Sequence, residues 1–118
     1  MRKKPIIYIC GKYSDSDKKE VTKNINKARK VAIQIWDMGA VAICPHLNTA
    51  HFDILCKKAK YNNFLNGYLN IIEMCNGLFL LDNWRESKGS KKEKKHAQKW
   101  HIDIFYEMED LEDYLRKY

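Results

Sequence analysis

The sequence predicts an α/β domain built on a mostly parallel sheet of four to five strands. Three observations predict it. Short, β-rich apolar runs recur near residues 6–10, 40–44, 78–81 and 102–106. Between them lie longer segments whose apolar residues recur every three or four positions, the period of an amphipathic helix. No repeat, low-complexity linker or Pro/Gly-rich boundary divides the 118 residues, so 1–118 reads as one domain. Strands alternating with helices imply right-handed βαβ units and parallel pairing.

Ile6-Ile7-Tyr8-Ile9-Cys10 is the first strand, with Pro5 at its start, where a missing N–H is tolerated, and Gly11 at its end. Residues 12–17 form a polar loop in which Ser16 or Asp17 can cap the next helix. Over 18–38, Val21, Ile25, Ala28, Ala32 and Ile35 mark one helical face, and Gly39 is placed to stop it. The second strand spans 40–44, and Pro45 breaks it. Residues 46–63 are expected to be a long irregular connection, a length that in compact domains often carries function. A helix follows over 64–74, with Leu65, Leu69, Ile72 and Ile71 as candidates to face inward. Leu78-Phe79-Leu80-Leu81 is continuously apolar, as a central parallel strand covered on both faces must be. A loop over 82–89, a basic helix over 90–100, an outer strand alternating through Ile102, Ile104 and Tyr106, and a closing helix over 108–118 complete the order.

Composition bounds the function. At 45% hydrophobic and 31% charged residues, a soluble globular protein is expected. No apolar run approaches the roughly 20 residues of a membrane span. The basic start, Met1-Arg2-Lys3-Lys4-Pro5, is followed by too short an apolar run for a signal peptide, whose core needs about 7–15 residues. A cytoplasmic protein is expected, and Cys10, Cys44, Cys56 and Cys75, scattered with no CxxC pair, are read as free thiols. The net charge of +7 admits a polyanionic partner or a phosphorylated ligand. Six lysines fall between Lys88 and Lys99 against the single Glu93, which reads first as a solvated helix face. Nucleic acid is a weaker reading, because the run lacks the interleaved aromatics of a base-stacking platform.

In parallel α/β sheets ligands bind beyond the carboxyl ends of the strands, where strand order reverses. Three segments should converge there: 11–17, 45–63 and 82–89. Glu93, in the first turn of the basic helix, leaves two readings open. It is a nucleophile or general base at the ligand edge, or it closes a capping box on Ser90 in Ser90-Lys91-Lys92-Glu93. Ser87, Gly89 and Ser90 surround the same helix start, whose exposed N–H groups favour an anion, or else form an ordinary polar turn. Tyr8 and Tyr13 flank Gly11; Tyr8 either orients a carboxylate or is a core tyrosine. Cys44, His46, His51 and Cys56 are zinc-binding types, yet their spacing matches no zinc motif, so no metal is expected. With no GxGxxG, GxxxxGK[ST] or GxSxG, no dinucleotide, Walker-type or serine-elbow site is supported, and no cofactor is expected.

The residues 7–13 (Ile-Tyr-Ile-Cys-Gly-Lys-Tyr), Met38-Gly39-Ala40, the run from Pro45 through His46 and Asn48 to Asp53, and Leu81-Asp82-Asn83-Trp84 through Glu93 follow one another in an order that resembles the nucleoside 2-deoxyribosyltransferase-like superfamily. Within it the chain most resembles the small domains of the DUF4406 type, often encoded by phages or bacteria. The resemblance covers nearly the whole chain, and its most specific piece is Trp-x-x-Ser-x-Gly-x-x-x-Glu, from Trp84 to Glu93. It implies a flavodoxin-like three-layer sandwich and chemistry at the N-glycosidic bond of a nucleoside or nucleotide. It implies that Glu93 is the nucleophile attacking the anomeric carbon, in the manner of a retaining glycosidase, that Tyr8 holds it, and that Ser87 and Gly89 shape the sugar or 5′-phosphate pocket. Gly11, Tyr13, His46, Asn48, Trp84 and Ser90 complete the expected binding set, Trp84 as a pocket wall. A homo-oligomer is implied, because family sites are commonly completed by a neighbouring subunit.

Two departures stand against full competence. Relatives carry aspartates where this chain has Tyr68 and Asn76. Losing a general acid for the departing base costs about 10²–10⁴ in rate, unless Asp82 substitutes. Two functions are therefore expected in competition: an N-glycoside hydrolase or deoxyribosyltransferase, and a non-catalytic binder of a nucleotide-derived ligand.

Overall fold

The computed structural model describes residues 3–118; Met1 and Arg2 of the basic start lie outside the described residues. Its strands are β1 (Ile6–Cys10), β2 (Val41–Ile43), β3 (Gly77–Leu80) and β4 (Asp103–Phe105). Its helices are α1 (Lys18–Asp37), α2 (Pro45–Asn48), α3 (Phe52–Leu55), α4 (Tyr61–Ile72), α5 (Lys88–Lys99) and α6 (Met108–Lys117), with a 3₁₀ turn at Trp84–Glu86. The sheet order is β2-β1-β3-β4 and every pairing is parallel. That order is the flavodoxin-like arrangement with four strands.

The layers follow from alternation along β1. Ile7 and Ile9 face one side and pack with Ala28, Ala32 and Ile35 of α1 and Leu111 of α6. Tyr8 and Cys10 face the other and pack with Tyr68 and Ile72 of α4 and Ala97 of α5. Both faces of the sheet are thus covered, which is why β1 and β3 are apolar at almost every position. Asp17 caps α1, its carboxylate accepting from the Lys19 N–H at 2.9 Å. Gly39, with φ +85°, ends the helix in the left-handed conformation.

The expected irregular connection over 46–63 is corrected in part. Pro45 both ends the strand and opens a helical turn, since its fixed φ suits the first helical position. The two turns α2 and α3 are four residues each, too short to show a period. Between them His51 takes a left-handed φ of 64° and donates its N–H to the Tyr13 hydroxyl at 2.7 Å. α4 starts at Tyr61 rather than 64, because the Asn63 side chain accepts from the Lys60 N–H at 2.8 Å and satisfies the helix start. Its buried residues are Tyr68 and Ile72; Leu69 and Ile71 are partly buried against them, and Leu65 faces a cleft instead.

Gly11 closes β1 against Leu81. A Cβ there would lie 2.5–2.9 Å from three atoms of the Leu81 side chain, which is itself buried. Gly11→Ala is expected to lower stability by about 1–3 kcal/mol through overpacking, read as a lower denaturation midpoint with unchanged m-value.

Candidate functional site

At the carboxyl ends of β1 and β3 lies a cleft of about 640 Å³, within the range of small-ligand sites. One wall is apolar and aromatic: Ile9, Tyr13, Tyr61, Phe64, Leu65 and Tyr68. The opposite wall is the start of α5, Ser87 to Ser90, with Lys92 and Glu93 one turn on. The carboxyl ends of β1 and β3 meet there because the chain leaves β1 toward β2 on one side and reaches β3 on the other, the switch point of such sheets.

The capping-box reading of Glu93 does not hold. The cap of α5 is Ser87, whose Oγ accepts from the Ser90 N–H at 3.0 Å, so the helix begins at Lys88 and no capping box forms on Ser90. Glu93 turns instead toward the sheet. The Tyr8 hydroxyl donates to its Oε2, and the Cys10 thiol lies 3.4 Å from its Oε1. Residue separation of 85 along the chain is bridged by that first contact. The Glu93 side chain is partly buried and lines the cleft. Burial pushes its pKa up to about 7, against the pull of the Tyr8 and Cys10 donors. Tyr8 is fully buried, and burial together with the Glu93 charge holds its hydroxyl protonated, as a donor. Its ring meets Tyr68 edge-on at 6.1 Å.

The other wall is held from several elements. His46 is buried; its Nε2–H donates to the Lys12 carbonyl at 3.0 Å, and burial lowers its pKa, so the ring is neutral at physiological pH. Tyr13 packs edge-on to it at 6.0 Å. Lys12 reaches the cleft while paired with Asp15 at 2.9 Å and Glu86 at 3.8 Å. Tyr61 leans over the start of α5: a Cβ on Gly89 would stand 3.0 Å from its hydroxyl.

Of the expected residues, the structure brings Tyr8, Gly11, Tyr13, His46, Ser87, Gly89, Ser90 and Glu93 to this cleft or directly beneath it. Three lie outside the cleft lining. Asp82 is exposed, its side chain 79% open, and it pairs with Lys27 of α1 at 2.6 Å, away from the cleft lining. Trp84 is not a pocket wall: the 3₁₀ turn carries its ring 6.3 Å from Tyr106, with the Lys94 ammonium 4.6 Å above it. Asn48 acts one layer back, donating from Nδ2 to the Tyr68 hydroxyl at 2.9 Å. The departures from the family pattern have structural work: Tyr68 is locked by Asn48 and by Thr49 at 3.0 Å, and Asn76 accepts from the Ile6 N–H at 2.8 Å.

Sequence reasoning missed Cys10, Asp53 and Tyr61. Cys10 was readable, since residues two apart on a strand share a face and Tyr8 was already placed. Asp53 and Tyr61 sit in the stretch read as irregular; Asp53 closes one of the runs that carry the resemblance, and Tyr61 carries no sequence signal. The four zinc-type residues do not converge: among the described residues no group of three His, Cys, Asp or Glu side chains is disposed to hold a metal. Nor, among them, is any helix long and apolar enough to cross a membrane.

A family model described as "Domain of unknown function (DUF4406)" matches residues 5–106, from the start of β1 to the residue after β4. The chain belongs to the DUF4406 family. No curated protein matches it. The DUF4406 match spans every residue of the cleft; of the helices and strands, α6, which packs on the far face of the sheet, lies beyond it.

Proposed function

We propose that this DUF4406 domain acts on the N-glycosidic bond of a nucleoside or nucleotide, as a hydrolase or 2-deoxyribosyltransferase, with Glu93 as nucleophile. The observation that carries the reading is the Glu93 carboxylate, gripped by Tyr8 at the base of a nucleotide-sized cleft beside an open helix start. The sequence likeness to the deoxyribosyltransferase-like superfamily supports it independently. Glu93 attacks the anomeric carbon, the C–N electrons leave with the base, and the base takes up a proton. Water or a second base then attacks the glycosyl ester and releases the carboxylate, the retaining sequence of two displacements. A carboxylate raised to about 7 is more basic than an exposed one, which suits a nucleophile.

The N–H groups at the start of α5, with Ser87 and the nearby Lys88 and Lys92, suit the sugar or a 5′-phosphate. The aromatic wall suits the base. Asp82 is too remote to protonate it, and Asp53, a carboxyl of the cleft lining, takes that role in this reading. A second copy of the chain completing the site belongs to the same proposal, and sedimentation of the protein at working concentration tests it. The test of the function is incubation with a panel of nucleosides and 5′-monophosphates, followed by chromatography for free base. No base released across the panel overturns it.

A second reading, a binder without turnover, is favoured by Tyr68. Its hydroxyl is already committed to Asn48 and Thr49, where relatives carry an acid. A thermal shift with a nucleotide, without base release, identifies that case.

Gly89→Ala separates binding from stability under either reading. The new methyl displaces only the far end of the Tyr61 side chain, which is 53% exposed. Stability is expected to stay level or rise by up to about 1 kcal/mol, since Gly weakens a helix, while nucleotide affinity falls as Tyr61 is pushed across the cleft. Calorimetry of unfolding and of binding checks both halves.

A further inference from the structure

We propose that Cys10 is a positioning residue for Glu93, its thiol holding the second carboxylate oxygen while Tyr8 holds the first. The inference rests on the reading of Glu93 as the reacting group and deepens it.

Tyr8 and Cys10 lie on the β1 face that packs with α5, and both meet the same carboxylate. Tyr8 donates to Oε2; the Cys10 Sγ stands 3.4 Å from Oε1. Both donors are fully buried, so water reaches the pair only from the cleft side of the carboxylate. The thiol has one other acceptor in reach, the Ser90 carbonyl at 3.5 Å, which belongs to the same helix as Glu93. Either contact fixes the sulfur between β1 and the first turn of α5. Burial and the Glu93 charge keep Cys10 as the protonated thiol, the form that can donate.

The division of labour is chemical. A phenol is the stronger donor and sets the carboxylate plane. A thiol is a weak donor, so it fixes the rotamer of Glu93 while withdrawing little charge from the oxygen that it touches. Two strong donors would lower the basicity of both oxygens; an apolar residue in place of Cys10 would leave Oε1 unheld. Reach matters too: the longer C–S bond lets a small side chain on the strand approach a carboxylate on the neighbouring helix.

The experiment follows the Glu93 side-chain carboxyl by carbon NMR through its titration, in wild type, Cys10→Ala and Cys10→Ser, with thermal unfolding as the check on folding. Loss of the donor in Cys10→Ala is expected to raise the Glu93 midpoint by about half a pH unit or more, because a hydrogen bond to the charged form is removed. In Cys10→Ser the hydroxyl changes donor strength and reach together, so its midpoint is also expected to differ from wild type, below that of Cys10→Ala. A wild-type midpoint in folded Cys10→Ala overturns the proposal, for the thiol then serves only the Ser90 carbonyl, whereas a midpoint restored toward wild type in Cys10→Ser supports it. The acid limb of base release against pH is expected to move with the midpoint. If the midpoint moves and wild type releases no base, the positioning role stands and the glycosidic reading alone falls.

Discussion

Glu93→Ala is expected to abolish base release, with a fall of about 10³-fold or more in kcat/KM against the best substrate. A nucleophile cannot be replaced by binding energy; what survives its removal is the acceleration that the rest of the site gives to water. The substitution leaves Tyr8 and Cys10, two buried donors, without their acceptor. Affinity for a nucleotide is expected to change far less, because the start of α5 and the aromatic wall remain. Rates of base release and calorimetric binding, measured on the same preparations, separate the two. Residual release at wild-type rate would remove Glu93 from the reaction.

Glu93→Gln is expected to stabilise the protein above neutral pH. The Glu93 pKa is raised from 4.5 to about 7 on folding, so folding takes up a proton in that window. A raised carboxyl contributes fully below its unfolded value, and its contribution is lost as pH rises through about 7. At about 1.4 kcal/mol per pH unit the cost of the buried charge reaches about 3 kcal/mol at most, and the open cleft edge reduces it to about 1–2 kcal/mol. Glutamine keeps an acceptor for Tyr8 and carries no charge. The two proteins are expected to match near pH 4, and the variant to melt several degrees higher near pH 8. Equal stability at both pH values would mean that the carboxylate is hydrated in the folded protein. A stabilised, inactive variant is the usual signature of a group kept for chemistry rather than for folding.

The elements readable in the sequence were those long enough to show a period or apolar enough to need none. α1 was fixed at both ends, by Asp17 and Gly39, and β1 and β3 stand out because a strand covered on both faces has no polar side. The turns α2 and α3 were not readable, because four residues complete barely one turn. In the site, Glu93 was visible and its role was not. Ser90-x-x-Glu93 carries the capping spacing, and what overrides it is Ser87, one turn earlier, together with Tyr8 on a distant strand. Asp82 is suggested by its place at the strand end, and Trp84 by the resemblance motif that it opens. Which way the 3₁₀ turn would aim them depends on Lys27, Lys94 and Tyr106, partners that no local pattern announces.

The central place of β1 has a consequence for the order in which the protein is made. The first strand of the domain pairs with residues 41–43 on one side and 77–80 on the other, and meets Glu93 only from the later helix α5. Such distant contacts are slow to form, since loop closure precedes any gain from them. A nascent chain lacking α5 therefore carries Tyr8 and Cys10 but no carboxylate between them. The cleft is complete only when most of the domain has been synthesised, so under the proposed function half-made chains would compete for no substrate.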